Sequence, residues 1–213
     1  MSKFEAIFFD MDGLLVETEA LSFESTKETF VARGIEMTKE WFIDEHLGKG
    51  ISTLELARKK GFSEDEVQKL RTMRRQRYVE LLEEKAKPVE GALETLELLR
   101  GHFLMAVVTG SYRNQYNILM QRTGFGHFFD FSVTGDDVVH FKPHPEPYLR
   151  ALGISEKSKG SCLVLEDSGN GTQAAKAAGL TCYAIPDVLT KTHDFSTADK
   201  VLQSIRDVPA LVL

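Results

Sequence analysis

The sequence predicts an α/β fold: a parallel sheet with helices on both faces, interrupted once by a purely helical segment. Three observations carry this expectation. Near-continuous apolar runs, "FLMAVVTG" and "SCLVLED" among them, alternate with helical patterns after residue 88, as strands buried on both faces do. From about residue 18 to 87 the pattern is helical and holds no convincing strand. Polar residues gather at the ends of the apolar runs, where open parallel sheets bind ligands.

The elements follow in order. The first strand, roughly residues 4–10, ends at Asp10 and Asp12, and Gly13 permits a sharp turn. "TEALSFESTKETFVARG" places Leu21, Phe23, Thr26, Phe30 and Val31 near helical spacing, and Gly34 stops it. "TKEWFIDEHLG" and "STLELARKKG" read as short helices ended by glycine. A longer helix opens with the capping box Ser63 and Glu66 and carries Val67, Leu70, Tyr78, Leu81 and Leu82 on one side. Strands and helices then alternate from "KPVEGA" to "TCYAIP". The division expected is a core over 1–15 and 88–213, with a helical subdomain over 16–87.

Composition narrows the function. The chain has 213 residues, 42% hydrophobic and 27% charged, enough for a full core. A net charge of −6 argues against nucleic acid as the main partner. Cys162 and Cys182 lie in apolar runs and form neither a disulfide framework nor a metal spacing. No stretch has the length of a membrane span or the plan of a signal peptide, so the expected location is the cytoplasm.

A parallel sheet brings Asp10, Asp12, Thr109, Lys142, Glu166 and Asp167 to one rim. Each type serves phosphoryl transfer. Carboxylate oxygens suit Mg²⁺, which would relieve the repulsion among Asp10, Glu166 and Asp167. Thr109 and the amides at Gly110 and Ser111 can donate to phosphate oxygens, and Lys142 supplies a fixed positive charge. Asp10 and Asp12, at i and i+2, can share the cleft. The first can attack phosphorus, and the second can serve as acid and then base.

"DMDGLLVETE", "VVTGS", "KPHPEPY" and "LEDSGNG" resemble, in order, the four motifs of the haloacid dehalogenase superfamily, and the inserted helices resemble its small cap. The wording is most similar to the subgroup of β-phosphoglucomutases and sugar-phosphate phosphatases. The resemblance implies a Rossmann-like sheet ordered 5-4-1-2-3, Mg²⁺ dependence, Asp10 as nucleophile and Asp12 as acid/base. It puts Thr109 and Lys142 on the phosphate. Asp10, Asp167, Glu166 through water and the Asp12 backbone carbonyl would hold the metal.

The function expected is hydrolysis of a small phosphomonoester, a sugar phosphate or a phosphoglycolate-like compound, through an aspartyl phosphate. A phosphomutase is the alternative. The loop "HLGKGISTLE" lacks the arginine usual in those enzymes, and Ser22 stands near their histidine, which favours hydrolysis. A phosphoacceptor signalling domain is remote, because its acidic pair precedes the acceptor aspartate. Lys49 is a candidate for reading the far end of the substrate, against an exposed loop lysine. "RTMRRQR" reads as a salt-bridged solvent face. His140 and His144 lie across a proline turn, where no helical spacing sets them together.

Overall fold

The computed structural model describes residues 3–213. Strand β1 (Ala6–Phe9) leads through β2 (Val16–Glu17) into helices α1 (Glu19–Val31), α2 (Lys39–Trp41), α3 (Glu55–Lys59) and α4 (Glu64–Lys85), and the chain returns through β3 (Lys87–Pro88). Then come α5 (Ala92–Leu99), β4 (Leu104–Val108), α6 (Arg113–Thr123), β5 (Phe131–Val133) and α7 (Glu146–Ser155). β6 (Cys162–Glu166), α8 (Gly169–Ala177), β7 (Thr181–Ala184), β8 (Lys200–Val201) and α9 (Pro209–Val212) follow.

The main sheet has the order β5-β4-β1-β6-β7-β8, and every pairing in it is parallel. The expected class holds. With the ribbon strands β2 and β3 set aside, the sheet differs from the expected 5-4-1-2-3 by a sixth strand at one edge. That strand, β8, is two exposed residues long, too short to leave a periodic pattern.

Alternation along β1 divides the core into two layers. Ile7 and Phe9 join Met105, Val107, Leu163 and Leu165 on one face. Ala6 and Phe8 join Ala106, Val108, Val164 and Tyr148 on the other. Successive side chains of a strand point to opposite faces, so one tetrapeptide anchors both layers. Cys162 and Cys182 are buried free thiols.

The helices between β2 and β3 have a core of their own, built on Phe30, Phe42, Leu54, Val67 and Leu70, with Trp41 packed against it. The Ser63–Glu66 capping box starts α4 as expected. Two local expectations differ. Val31, expected on the apolar face, is exposed. "TKEWFIDEHLG" makes only one turn of α-helix before widening into a π-helix over Phe42–Gly48. None of the described helices is long and apolar enough to cross a membrane.

Candidate active site

Parallel registers bring the carboxyl ends of β1, β4 and β6 to one rim. Phe8 pairs with Ala106 on one side and Val164 on the other, so Asp10, Thr109 and Glu166 leave their strands side by side. Asp10 keeps its place in the ladder, its N–H donating to Leu165 O at 2.9 Å.

Lys142 reaches this rim from the loop before α7. Its Nζ donates to Asp10 Oδ1 at 2.6 Å, to Glu166 Oε1 at 2.6 Å and to Val108 O at 2.8 Å. It also lies 4.9 Å from the centroid of the Tyr148 ring. Tyr148 donates its hydroxyl to Glu166 Oε1, and Ser168 donates to Glu166 Oε2 at 3.1 Å. Three donors fix a fully buried carboxylate, which in turn fixes the lysine. Burial opposes the charge on Lys142, but Asp10 and Glu166 outweigh it and hold the ammonium above the usual lysine range.

Asp12 occupies the facing side. Thr18 donates to its Oδ1 at 2.8 Å, while Thr109 at 2.8 Å and Ser111 at 2.9 Å donate to its Oδ2. The Ser111 N–H in turn donates to Thr109 Oγ1 at 2.9 Å. The turn after β4, with Gly110 at its centre, thus holds the Asp12 carboxylate by two hydroxyls. Thr18, where the chain enters α1, holds it by a third.

The third carboxylate, Asp167, is buried, and its Oδ2 has no hydrogen-bond partner. Gly13 backs onto it with φ +79°, and a Cβ there would stand 2.3 Å from Asp167 Oδ2. Glycine is required at that turn both for the backbone and for the close approach. Burial pushes the Asp10 carboxyl well above its usual range; Lys142 pulls it down, and Glu166 and Asp12 push it up again. Burial raises Asp167 likewise, reinforced by Asp10 and Glu166.

Three carboxylates share one ammonium here, so the cluster is short of positive charge. Ligand oxygens of Asp10, Glu166 and Asp167 lie within 4.8 Å of one another. An all-oxygen donor set with one orphaned, buried carboxylate oxygen fits a hard divalent cation.

The rim opens into a cavity of about 670 Å³ walled by both the sheet and the helical segment. It brings together Asp10, Asp12, Gly110, Ser111 and Asp167. Lys49 is not brought there. Its side chain is 63% exposed and pairs with Glu45 at 2.6 Å, whereas Leu47 and Gly50 of the same loop do line the cavity. Ser168 accepts the Gly171 N–H as the cap of α8, and Asn170 donates to Leu47 O at 3.1 Å, joining the two walls.

Several residues at the site escaped the sequence reading. Glu19 lines the cavity, and burial with the charges of Asp12, Asp187 and Asp10 raises its carboxyl to about 8. Arg71, Arg74, Arg75 and Tyr78 line it from α4. Among the described residues, only Arg77 of "RTMRRQR" forms ion pairs, with the expected Glu80 and with Glu28 of α1; Arg75 is exposed as expected, but neither it nor Arg71 nor Arg74 has a carboxylate partner. The spacing i, i+3, i+4, i+7 was the signal that could have found them. His140 and His144 do meet, with ring centroids 4.5 Å apart, because Glu146 draws His140 back over the turn.

Fold and rim together define an α/β protein with an acidic, lysine-braced cleft at the carboxyl ends of a parallel sheet. The family described as haloacid dehalogenase-like hydrolase matches residues 7–185, and the chain belongs to it. YhcW of Bacillus subtilis is 34% identical, over 98% of this chain and 96% of its own. A phosphorylated carbohydrates phosphatase of Thermotoga maritima is 30% identical, over 83% of this chain and 82% of its own. The crystal structure of CbbY from Rhodobacter sphaeroides in complex with xylulose-1,5-bisphosphate superimposes with a TM-score of 0.82 at 26% identity, covering 100% of both chains.

Proposed function

We propose that this phosphoric monoester hydrolase is a Mg²⁺-dependent phosphatase of small phosphorylated metabolites, carbohydrate phosphates foremost, that works in the cytoplasm through an aspartyl phosphate on Asp10. One observation carries the reading: Asp10 and Asp12 face one cleft but are held by opposite means. Asp10 is gripped by an ammonium beside an unpartnered carboxylate oxygen, Asp12 by three hydroxyls.

Asp10 Oδ2, the oxygen not bonded to Lys142, attacks phosphorus while Asp12 gives its proton to the leaving oxygen. Thr109 and the Gly110–Ser111 turn turn their donors to the phosphate oxygens once a substrate displaces them from Asp12. Lys142 neutralises charge that grows on the phosphoryl group. Asp12 then takes a proton from the water that cleaves the acyl phosphate. Asp10, Asp167 and Glu166 would hold the Mg²⁺, with the Asp12 backbone carbonyl. The ion supplies charge neutralisation and alignment of a phosphate oxygen. Residues 16–87 form the cap on a core of 1–15 and 88–213, closing the cleft against water.

The test is phosphate release over a panel of metabolite phosphates, with and without Mg²⁺, for the wild type and Asp10→Asn. Chelation abolishes release, and the substitution lowers kcat by at least about 10⁴-fold. Undiminished turnover by purified Asp10→Asn refutes the mechanism.

A further inference from the structure

Arg71, Arg74, Arg75 and Tyr78 form one stripe along α4, and all four line the cavity that holds Asp10 and Asp12. None of the three guanidinium groups has a carboxylate partner among the described residues. Arg74 donates to Thr53 Oγ1 at 3.2 Å. Arg75 donates to the Tyr112 hydroxyl at 2.8 Å and lies 4.7 Å from the centroid of that ring. Three residues beyond Arg74, at the edge of this stripe, Arg77 meets Glu28 at 2.7 Å and Glu80 at 3.1 Å.

Gathering three like charges along one cavity is costly unless a counter-charge arrives, most of all at half-buried Arg74, where burial and the neighbouring Arg75 disfavour the charge. The protein provides such partners freely elsewhere, and its net charge is −6. The stripe is therefore a concentrated positive field within an acidic molecule, opposite the rim where a phosphoryl group would sit. Guanidinium forks bind phosphate or carboxylate oxygens in pairs.

We propose that this stripe is a subsite for a second anionic group, phosphate or carboxylate, at the end of the substrate remote from the transferred phosphoryl group. The proposal rests on the phosphatase reading above and adds the substrate class: doubly anionic phosphoesters. It moves recognition of the far end from the Lys49 loop to α4.

Two matched pairs test it. Fructose 1,6-bisphosphate against fructose 6-phosphate isolates a second phosphate, and 3-phosphoglycerate against glycerol 3-phosphate isolates a carboxylate. The wild type favours the doubly anionic member of at least one pair by about 10- to 100-fold in kcat/KM, and the pair that shows the preference names the group. Arg74→Gln and Arg75→Gln each cut that ratio about tenfold, whereas Arg74→Lys keeps part of it. Arg75 is the more exposed, so its variant serves if Arg74→Gln fails to fold.

Calorimetric titration of the same compounds into Asp10→Asn reads the subsite without turnover. Equal binding of both members of both pairs overturns the proposal, as does an equal loss on both members in the arginine variants. Tighter binding of a doubly anionic compound with no phosphate release by the wild type, even from p-nitrophenyl phosphate with Mg²⁺, sustains the subsite and refutes the phosphatase reading.

Discussion

On the core side of the cleft, Lys142 meets two carboxylates and a carbonyl, and Glu166 meets three donors. On the facing wall, Arg74 and Arg75 each find one hydroxyl, and among the described residues none of Arg71, Arg74 and Arg75 forms an ion pair with a carboxylate. Lys142 and Glu166 are held in place before any ligand arrives, which suits chemistry that depends on preset charge. The wall keeps its donors open, which suits recognition. The orphaned oxygen of Asp167 is the one place where the rim resembles the wall, and it lies where the cation is expected.

The sharpest way to break this contrast is Lys142→Met. It leaves Asp10 and Glu166 buried without their shared cation, and breaking a buried pair from one side costs about 3–5 kcal/mol. Denaturant unfolding should show that loss alongside absent turnover. A cost below about 1 kcal/mol would mean that the rim does not hold itself together.

A smaller effect falls on the loop that carries Lys142. Glu146 accepts the N–H groups of Val139 and His140, and the Val139 bond foremost lowers its carboxyl from 4.5 to about 2. A depressed carboxyl contributes stability above its unfolded value that fades as pH falls through the folded one. Midpoints of chemical unfolding should therefore drop between about pH 4.5 and 2, and Glu146→Gln should flatten that part of the fall. An unchanged acid profile in the variant would show that this tether does not help hold Lys142.

The smallest effect belongs to Arg77→Ala, which removes the arginine of α4 that is already paired, with Glu28 and Glu80. Pairs open to water contribute little, so stability shifts only slightly and kcat/KM stays within about twofold. A loss of substrate preference here, equal to that in Arg74→Gln, would erase the distinction between the paired arginine and the unpaired ones.

The sheet and its rim were legible because their signals are local. "IFFDMDG" states in seven residues both a doubly buried strand and the acids at its end. The capping box at Ser63 was equally plain. The arginine stripe was harder to read, because the acids that follow it, Glu80, Glu83 and Glu84, make the whole run look ion-paired, although only Arg77 has one of them, Glu80, at i+3. Lys49 drew attention through its flanking glycines, yet Glu45 one turn earlier takes its charge. The meeting of His140 with His144 depends on a turn geometry that no periodicity encodes. β8 is defined only by the neighbour it pairs with.

The two-residue ribbon in which Val16 pairs with Pro88, and Glu17 with Lys87, has an evolutionary consequence. The chain departs and returns through adjacent residues, so everything between them is a graft on a single stem. A different helical insert with the same stem leaves the pairings of Phe8 with Ala106 and Val164 undisturbed. The hydrolytic chemistry can then be inherited intact while the insert, arginines included, diverges towards new metabolites.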